Sequence, residues 1–227
     1  MRNFGPVWGP AKVQWYADGR RGDEAETVDL LHDLVTDGDA LALAVGSGRV
    51  ALPLAARGVT VDGIELSPAM TEPLRERTGG RRYRLVYLLS TTLFDLLTQD
   101  EQVRCFENAA RHLEATGMFL VEAAVPNAWS HNGKTGTAGA VHGELVRYDA
   151  SRHDPATELL EENHVAVSGA GSPSDSSAQR PAWPAELDLL ARIAGLRLRH
   201  RWGGWHREPF GAESVRHVSI YERVDTN

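Results

Sequence analysis

Asp39-Ala40-Leu41-Ala42-Leu43-Ala44-Val45-Gly46-Ser47-Gly48-Arg49-Val50 is the stretch that decides the fold. An apolar run ending in small residues reads as a buried parallel strand, and the glycines after it let backbone N–H groups approach a ligand where a helix begins. The next apolar stretch, Gly58 to Glu65, reads as a second strand. Its terminal acid, Glu65, stands where a carboxylate can accept both hydroxyls of a ribose. Strand, small-residue turn, helix, strand and acid together describe a nucleotide-type site in an α/β sheet.

Glycine spacing separates two classes of such sites. A dinucleotide fingerprint, G-x-G-x-x-G, needs glycine at 44, 46 and 49, where this chain has Ala44, Gly46 and Arg49. The arrangement instead resembles the first motif of class I S-adenosylmethionine-dependent methyltransferases. Arg49 to Gly58 and Glu65-Leu66-Ser67-Pro68-Ala69-Met70 resemble that family's continuation, and Leu85 to Phe94 resembles its fourth strand with the loop that follows. The likeness covers residues 38–125 and 182–223 and points to bacterial small-molecule methyltransferases. It implies a Rossmann-like, doubly wound sheet, mostly parallel with an antiparallel C-terminal strand, and S-adenosyl-L-methionine as cofactor. By the same resemblance, Ala44, Gly46, Ser47 and Gly48 would cradle the cofactor's methionine end and Glu65 its ribose. Leu66, Leu89 and Ser90 would complete the contact.

Composition agrees with one soluble α/β domain carrying an insertion: 227 residues, 42% hydrophobic and 24% charged. A net charge of −7 and a pI near 5.7 oppose a nucleic-acid footprint, and the basic residues are spread along the chain. A single cysteine, Cys105, excludes an internal disulfide. No window approaches eighteen apolar residues, and Met1 to Pro6 lacks a signal-peptide core, so the expectation is a cytoplasmic protein without membrane contact. Nothing in this composition decides between a monomer and a homodimer.

Periodicity supplies the rest of the core, residues 1–125 and 182–227. Helices are expected over 24–35, 48–57, 68–77, 99–114 and from Trp183 to Gly195, and strands over 40–45, 59–65, 84–90, 117–124, 196–202 and 215–223. Thr98 with Glu101 three residues on is the reciprocal pattern that satisfies orphan amides at a helix start. The last two strands resemble the antiparallel pair that closes the methyltransferase sheet. Residues 126–181 interrupt this scheme as a small β-rich cap, where the family often binds its acceptor. Gly143 to Asp149 and Thr157 to Val167 read as strands around the turn Arg152-His153-Asp154-Pro155. Residues 168–181 have no hydrophobic face and read as a flexible loop.

Three departures from the family pattern bear on function. Only thirteen residues separate Met70 from Arg84, enough for one helix and a turn, so the sheet is expected to lack its third, edge strand and the adenine-side contact after it. Right-handed crossovers would then place helix 68–77 on the face opposite helix 48–57, or leave it a strained return through Gly79 to Arg84. Ala42 stands where the resemblance implies an acid near the cofactor's amino group, and Ala44 where it implies a first glycine. Losing one charge-assisted hydrogen bond of roughly 1.5–3 kcal/mol weakens affinity about tenfold to a hundredfold.

The sulfonium is already an activated electrophile, so the protein mainly aligns an acceptor and excludes water. A hydroxyl acceptor needs a base, for which His142, His153 and His164 in the cap are candidates; an amine does not. The nine histidines show no metal-ligand spacing. Thr91, Trp202 and Trp205 are candidates for the acceptor pocket, although aromatics in a loop also serve as a lid packed on a core. The expected activity is methyl transfer to a nitrogen or oxygen of a small molecule. The alternative is a methyltransferase-fold binding protein with weak or lost turnover, favoured by the missing strand, Ala42, Ala44 and the featureless loop 168–181.

Overall fold

A computed structural model of the chain describes residues 22–64, 80–126, 135–142, 145–167 and 174–224. The chain divides into two compact units. The larger comprises Arg20–Leu93, Thr98–Val125 and Trp183–Asn227, and the smaller Met1–Gly19, Phe94–Leu97 and Pro126–Ala182.

The larger unit is built on a six-stranded sheet. Its elements are α1 (Glu24–Val35), β1 (Ala40–Leu43), α2 (Ala51–Ala56), β2 (Val61–Ile64), β3 (Tyr83–Leu88), α3 (Gln99–His112), β4 (Leu113–Ala124), α4 (Pro184–Ile193), β9 (Leu196–Trp202) and β10 (Arg216–Arg223). The sheet order is β2-β1-β3-β4-β10-β9. β2, β1, β3 and β4 run parallel, and β10 lies antiparallel to both β4 and β9. This is the Rossmann-like architecture expected, and among the described residues its edge strands are β2 and β9. Glu65, Leu66 and the helix expected over 68–77 lie outside the described residues.

Helices cover both faces because each carries an apolar stripe. On one face Val28, Leu31 and Val35 of α1 and Leu54 of α2 join Ala42, Tyr87, Leu120, Val218 and Trp205 in one buried cluster. On the other, Phe106 of α3 meets Phe119 and Tyr221 edge-on, at 5.1 and 5.6 Å between centroids. Thr98 and Glu101 form the expected reciprocal cap at the start of α3. At the entry to β3, Arg81 bridges Asp39 at 2.5 Å and Asp62 at 3.0 Å, while Tyr83 donates to Asp62 at 2.7 Å. These contacts tie the N-terminal ends of three parallel strands together.

α3 passes into β4 without an intervening residue. β4 therefore starts at Leu113, four residues before the expected Gly117, and between the pairs Tyr83↔Leu113 and Leu85↔Met118 its residues 114–117 stand against Arg84 alone, three residues in excess. Gly117 is required there because a Cβ would lie 2.7 Å from the Tyr83 carbonyl oxygen.

The smaller unit holds a four-stranded antiparallel sheet in the order β5-β6-β7-β8, formed by Thr135–His142, Leu145–Asp154, Leu159–Val167 and Ser174–Gln179. Two expectations are corrected here. The turn lies at 155–158, where Asp154 Oδ1 accepts the Ala156 N–H at 2.9 Å, so β6 runs through the residues expected to turn. The flexible loop expected over 168–181 contains β8, whose backbone pairs with β7 from Val165↔Ser174 to Leu160↔Gln179. Beyond it the Arg180 N–H donates to the Phe94 carbonyl at 2.7 Å. Main-chain pairing, rather than a hydrophobic face, orders this segment; residues 168–173 are outside the described set.

Candidate cofactor and acceptor site

The site follows from the sheet order. From β1 the chain moves outward through α2 to β2, then crosses back to β3 on the other side of β1, and ligands bind where such a sheet reverses direction, beyond the C-terminal strand ends. Leu43 pairs with both Ile64 and Leu88, so the turns after β1 and β3 leave the sheet level with each other.

The first turn spans Ala44 to Gly48. Val45 donates to the Ile64 carbonyl at 2.9 Å, a close approach made possible because Gly63 has no Cβ to strike Val45. The Gly48 N–H donates to the Val45 carbonyl at 3.0 Å and Gly48 is buried, which leaves Gly46 and Ser47 as the exposed part of the turn. Of the residues expected to cradle the cofactor's methionine end, Gly48 therefore spends its amide within the turn. Ala44 takes φ +58°, where its methyl is strained and glycine is not. Replacing Ala44 by glycine should therefore raise stability by about 0.5–1 kcal/mol in urea denaturation, the relieved strain exceeding the added freedom of the unfolded chain.

The second turn is strained at two consecutive positions, Ser90 at φ +60° and Thr91 at φ +61°. β4 holds it in place. The Ser90 N–H donates to Glu122 Oε2 at 2.5 Å, the Thr91 N–H to the Glu122 carbonyl at 3.2 Å, and Thr91 Oγ1 accepts the Ala124 N–H at 3.0 Å. Thr91 is thus committed to the turn through both its amide and its hydroxyl. Leu89 packs against the α1-side core cluster.

Glu122 is 5% exposed, and its other oxygen faces Arg216 at 3.9 Å. Arg216 also pairs with Asp23, whose Oδ2 accepts the Trp205 Nε1–H at 3.1 Å. Trp205 is 6% exposed and belongs to the core cluster, so it clamps the start of α1 instead of presenting a free ring to an acceptor. Trp202 is partly buried, stacked on His200 at 5.2 Å and covered by the Arg207 guanidinium at 5.6 Å. Both tryptophans therefore behave as the packed lid. His142, His153 and His164 lie on β5, β6 and β7, opposite Leu145, Leu160 and Asp149 respectively, and are not brought to one register position.

Tyr87 and Glu122 were passed over in the sequence. Glu122 left a trace, an acid inside the apolar run Met118 to Val125. Tyr87, within Leu85 to Leu89, left none. Yet its ring is 3% exposed and its hydroxyl has no hydrogen-bond partner among the described residues.

No family model matches the chain, and no curated protein sequence matches it. Among solved structures, the CcbJ methyltransferase from Streptomyces caelestis is 34% identical over 94% of this chain and 96% of that one, with a TM-score of 0.83. The chain belongs to the class I S-adenosylmethionine-dependent methyltransferases. The same fold recurs at lower identity. S-adenosylmethionine-bound CalS10, an amino pentose methyltransferase from Micromonospora echinaspora, is 19% identical over 99% of this chain and 100% of that one, with a TM-score of 0.67. The sugar N-methyltransferase KedS8 from Streptoalloteichus sp. is 18% identical over 99% and 97%, with a TM-score of 0.64.

S-adenosylmethionine is the cofactor of this methyltransferase. The described residues fit it: an exposed Gly46–Ser47 turn and a second turn fixed by Glu122 lie at the end of the sheet where its direction reverses.

Proposed function

We propose that the enzyme transfers the methyl group to a nitrogen of a small molecule. The observation behind methyl transfer at this place is the pair of level turns after β1 and β3, at the reversal of the sheet where ligands of such folds bind. Bound S-adenosylmethionine supplies an activated methyl group. The chain's part is then to hold the cofactor through the Gly46–Ser47 turn and Glu65, and to align the acceptor while excluding water. An amine acceptor sheds its proton to water or a nearby carboxylate, so no positioned base is demanded. The likeness to an amino pentose methyltransferase and a sugar N-methyltransferase supports nitrogen over oxygen.

Residues 126–181 are the segment we assign to acceptor recognition, with His142, His153 and His164 as the bases an oxygen acceptor would require. We place the enzyme in the cytoplasm, in keeping with its one cysteine, Cys105, which is free and buried. No described helix is long and apolar enough to cross a membrane.

Incubation with methyl-labelled S-adenosylmethionine and a panel of amino sugars beside their hydroxyl counterparts tests the reading. Label should pass to the amines; transfer to the hydroxyl compounds alone would replace nitrogen by oxygen. Calorimetric titration with S-adenosylhomocysteine tests the cofactor residues. The expected affinity is micromolar, falling about tenfold to a hundredfold on Glu65→Ala as a charge-assisted hydrogen bond is lost.

A further inference from the structure

An aspartate at the start of a helix ordinarily turns its carboxylate back to accept an amide of the first turn. Asp23 stands at that position of α1 and does otherwise. Its side chain makes no capping bond; its Oδ2 accepts the Trp205 Nε1–H at 3.1 Å and pairs with Arg216. The helix start is served by its main-chain carbonyl, which accepts the Thr27 N–H at 3.0 Å and the Thr27 hydroxyl at 2.7 Å. Glu24 is turned outward as well, one oxygen facing Arg49 at 3.9 Å and the other accepting the Gly22 N–H at 3.0 Å.

Both arginines lead to the cofactor site. Arg49 follows Gly48 directly in the turn after β1. Arg216 opens β10 opposite Ala124, the last residue of β4, and lies 3.9 Å from the Glu122 oxygen that does not hold the Ser90 amide. The first two acids of α1 therefore reach both turns, Glu24 through Arg49 and Asp23 through Arg216 and Glu122. Ser90 and Thr91 keep their left-handed conformation only while their surroundings over-determine it, so the setting of the Glu122 carboxylate decides where that turn stands. Ion pairs between partly exposed groups add little to global stability. Their loss shows in the placement of the turns and leaves the fold intact.

We infer that Asp23 and Glu24 are positioning residues for the cofactor, clamping the turns after β1 and β3 to the start of α1 without touching the ligand. This rests on the reading of those two turns as the walls of the S-adenosylmethionine site.

Calorimetry with S-adenosylhomocysteine and deuterium exchange on the full, unliganded chain test the inference together. The double variant Asp23→Asn/Glu24→Gln keeps the size of both side chains and removes their charge. It should bind about fivefold more weakly and exchange the Ser90 and Thr91 amides faster, with little change in unfolding temperature. Arg216→Gln should lose affinity that Arg216→Lys retains. Asp29→Asn, which breaks a 2.6 Å pair with Arg57 further along the same helix, should bind as the wild type does. Unaltered affinity or unaltered exchange in the double variant, equal affinities of the two Arg216 variants, or an equal loss in Asp29→Asn would overturn the clamp. Gly46→Asp, which sets a carboxylate in the exposed turn, judges the site separately: wild-type affinity there would remove the turn from the cofactor and the clamp with it, while lost binding upholds the site and lets the other variants decide the clamp alone.

Discussion

Replacing Glu122 by alanine is expected to cost about 2–3 kcal/mol in urea denaturation and to lower turnover more than the glutamine variant does. The carboxylate is a buried, charged acceptor for a backbone amide, an interaction of roughly 1.5–3 kcal/mol. It also holds the first of two consecutive left-handed residues, Ser90 and Thr91, so its removal frees the turn after β3 to relax away from the crevice. Arg216 keeps Asp23 as a partner, which limits the loss on that side. Glu122→Gln retains an oxygen for the Ser90 N–H and gives up the charge that faces a 40%-exposed arginine side chain at 3.9 Å, an interaction worth under about 1 kcal/mol. Equal stability of the alanine and glutamine variants would show that the Ser90 contact contributes nothing.

The second large effect is acid sensitivity from His217. This imidazole is fully buried on β10, its Nδ1 2.9 Å from Ser219 Oγ, with Phe210 edge-on at 6.1 Å. Burial first, then the positive charge of Arg201, with a smaller opposing contribution from Asp188, pushes it from 6.5 down to about 4. Between those values the unfolded chain binds the proton and the folded one refuses it, so stability rises with pH through the window and is lost as pH falls. At about 1.4 kcal/mol per pKa unit, the loss between pH 7 and pH 4 is about 3 kcal/mol. Stability measured by denaturation should fall more steeply between pH 7 and pH 4 for the wild type than for His217→Gln, which has nothing to protonate. Parallel pH profiles would mean that His217 titrates normally in the folded protein.

The parallel strands were legible because each is a short apolar run closed by turn residues, their order came through the resemblance to the methyltransferase sheet, and α3 announced itself through a cap and the spacing of Val103, Phe106, Ala110 and Leu113, of which the last three are buried. The glycine turn was legible as a turn. Its handedness at Ala44 was not, since alanine rather than glycine occupies the left-handed position and only tertiary contacts hold it there. β8 escaped notice because Ser174 to Gln179 has no alternation to read and is ordered by a neighbour's backbone. Ser90 and Thr91 looked like contact residues, and their conformation depends on Glu122, more than thirty positions away, a dependence that no local pattern encodes. Trp202 and Trp205 illustrate the same limit: their spacing marks an aromatic loop, while stacking on His200 and donation to Asp23 decide what each ring does.

The direct passage from α3 into β4 also governs how this chain can change in length. Because side chains alternate along a strand, one residue gained or lost beyond Gly117 would turn Phe119 from the α3 side to the opposite layer and Leu120 from that layer to the α3 side. Ala115 and Thr116, exposed and outside the in-register pairing, are the slack in the passage. Insertions and deletions can be absorbed there while the strand's two faces keep their occupants, whereas the junction at His112 and Leu113 is fixed by the helix on one side and the sheet on the other.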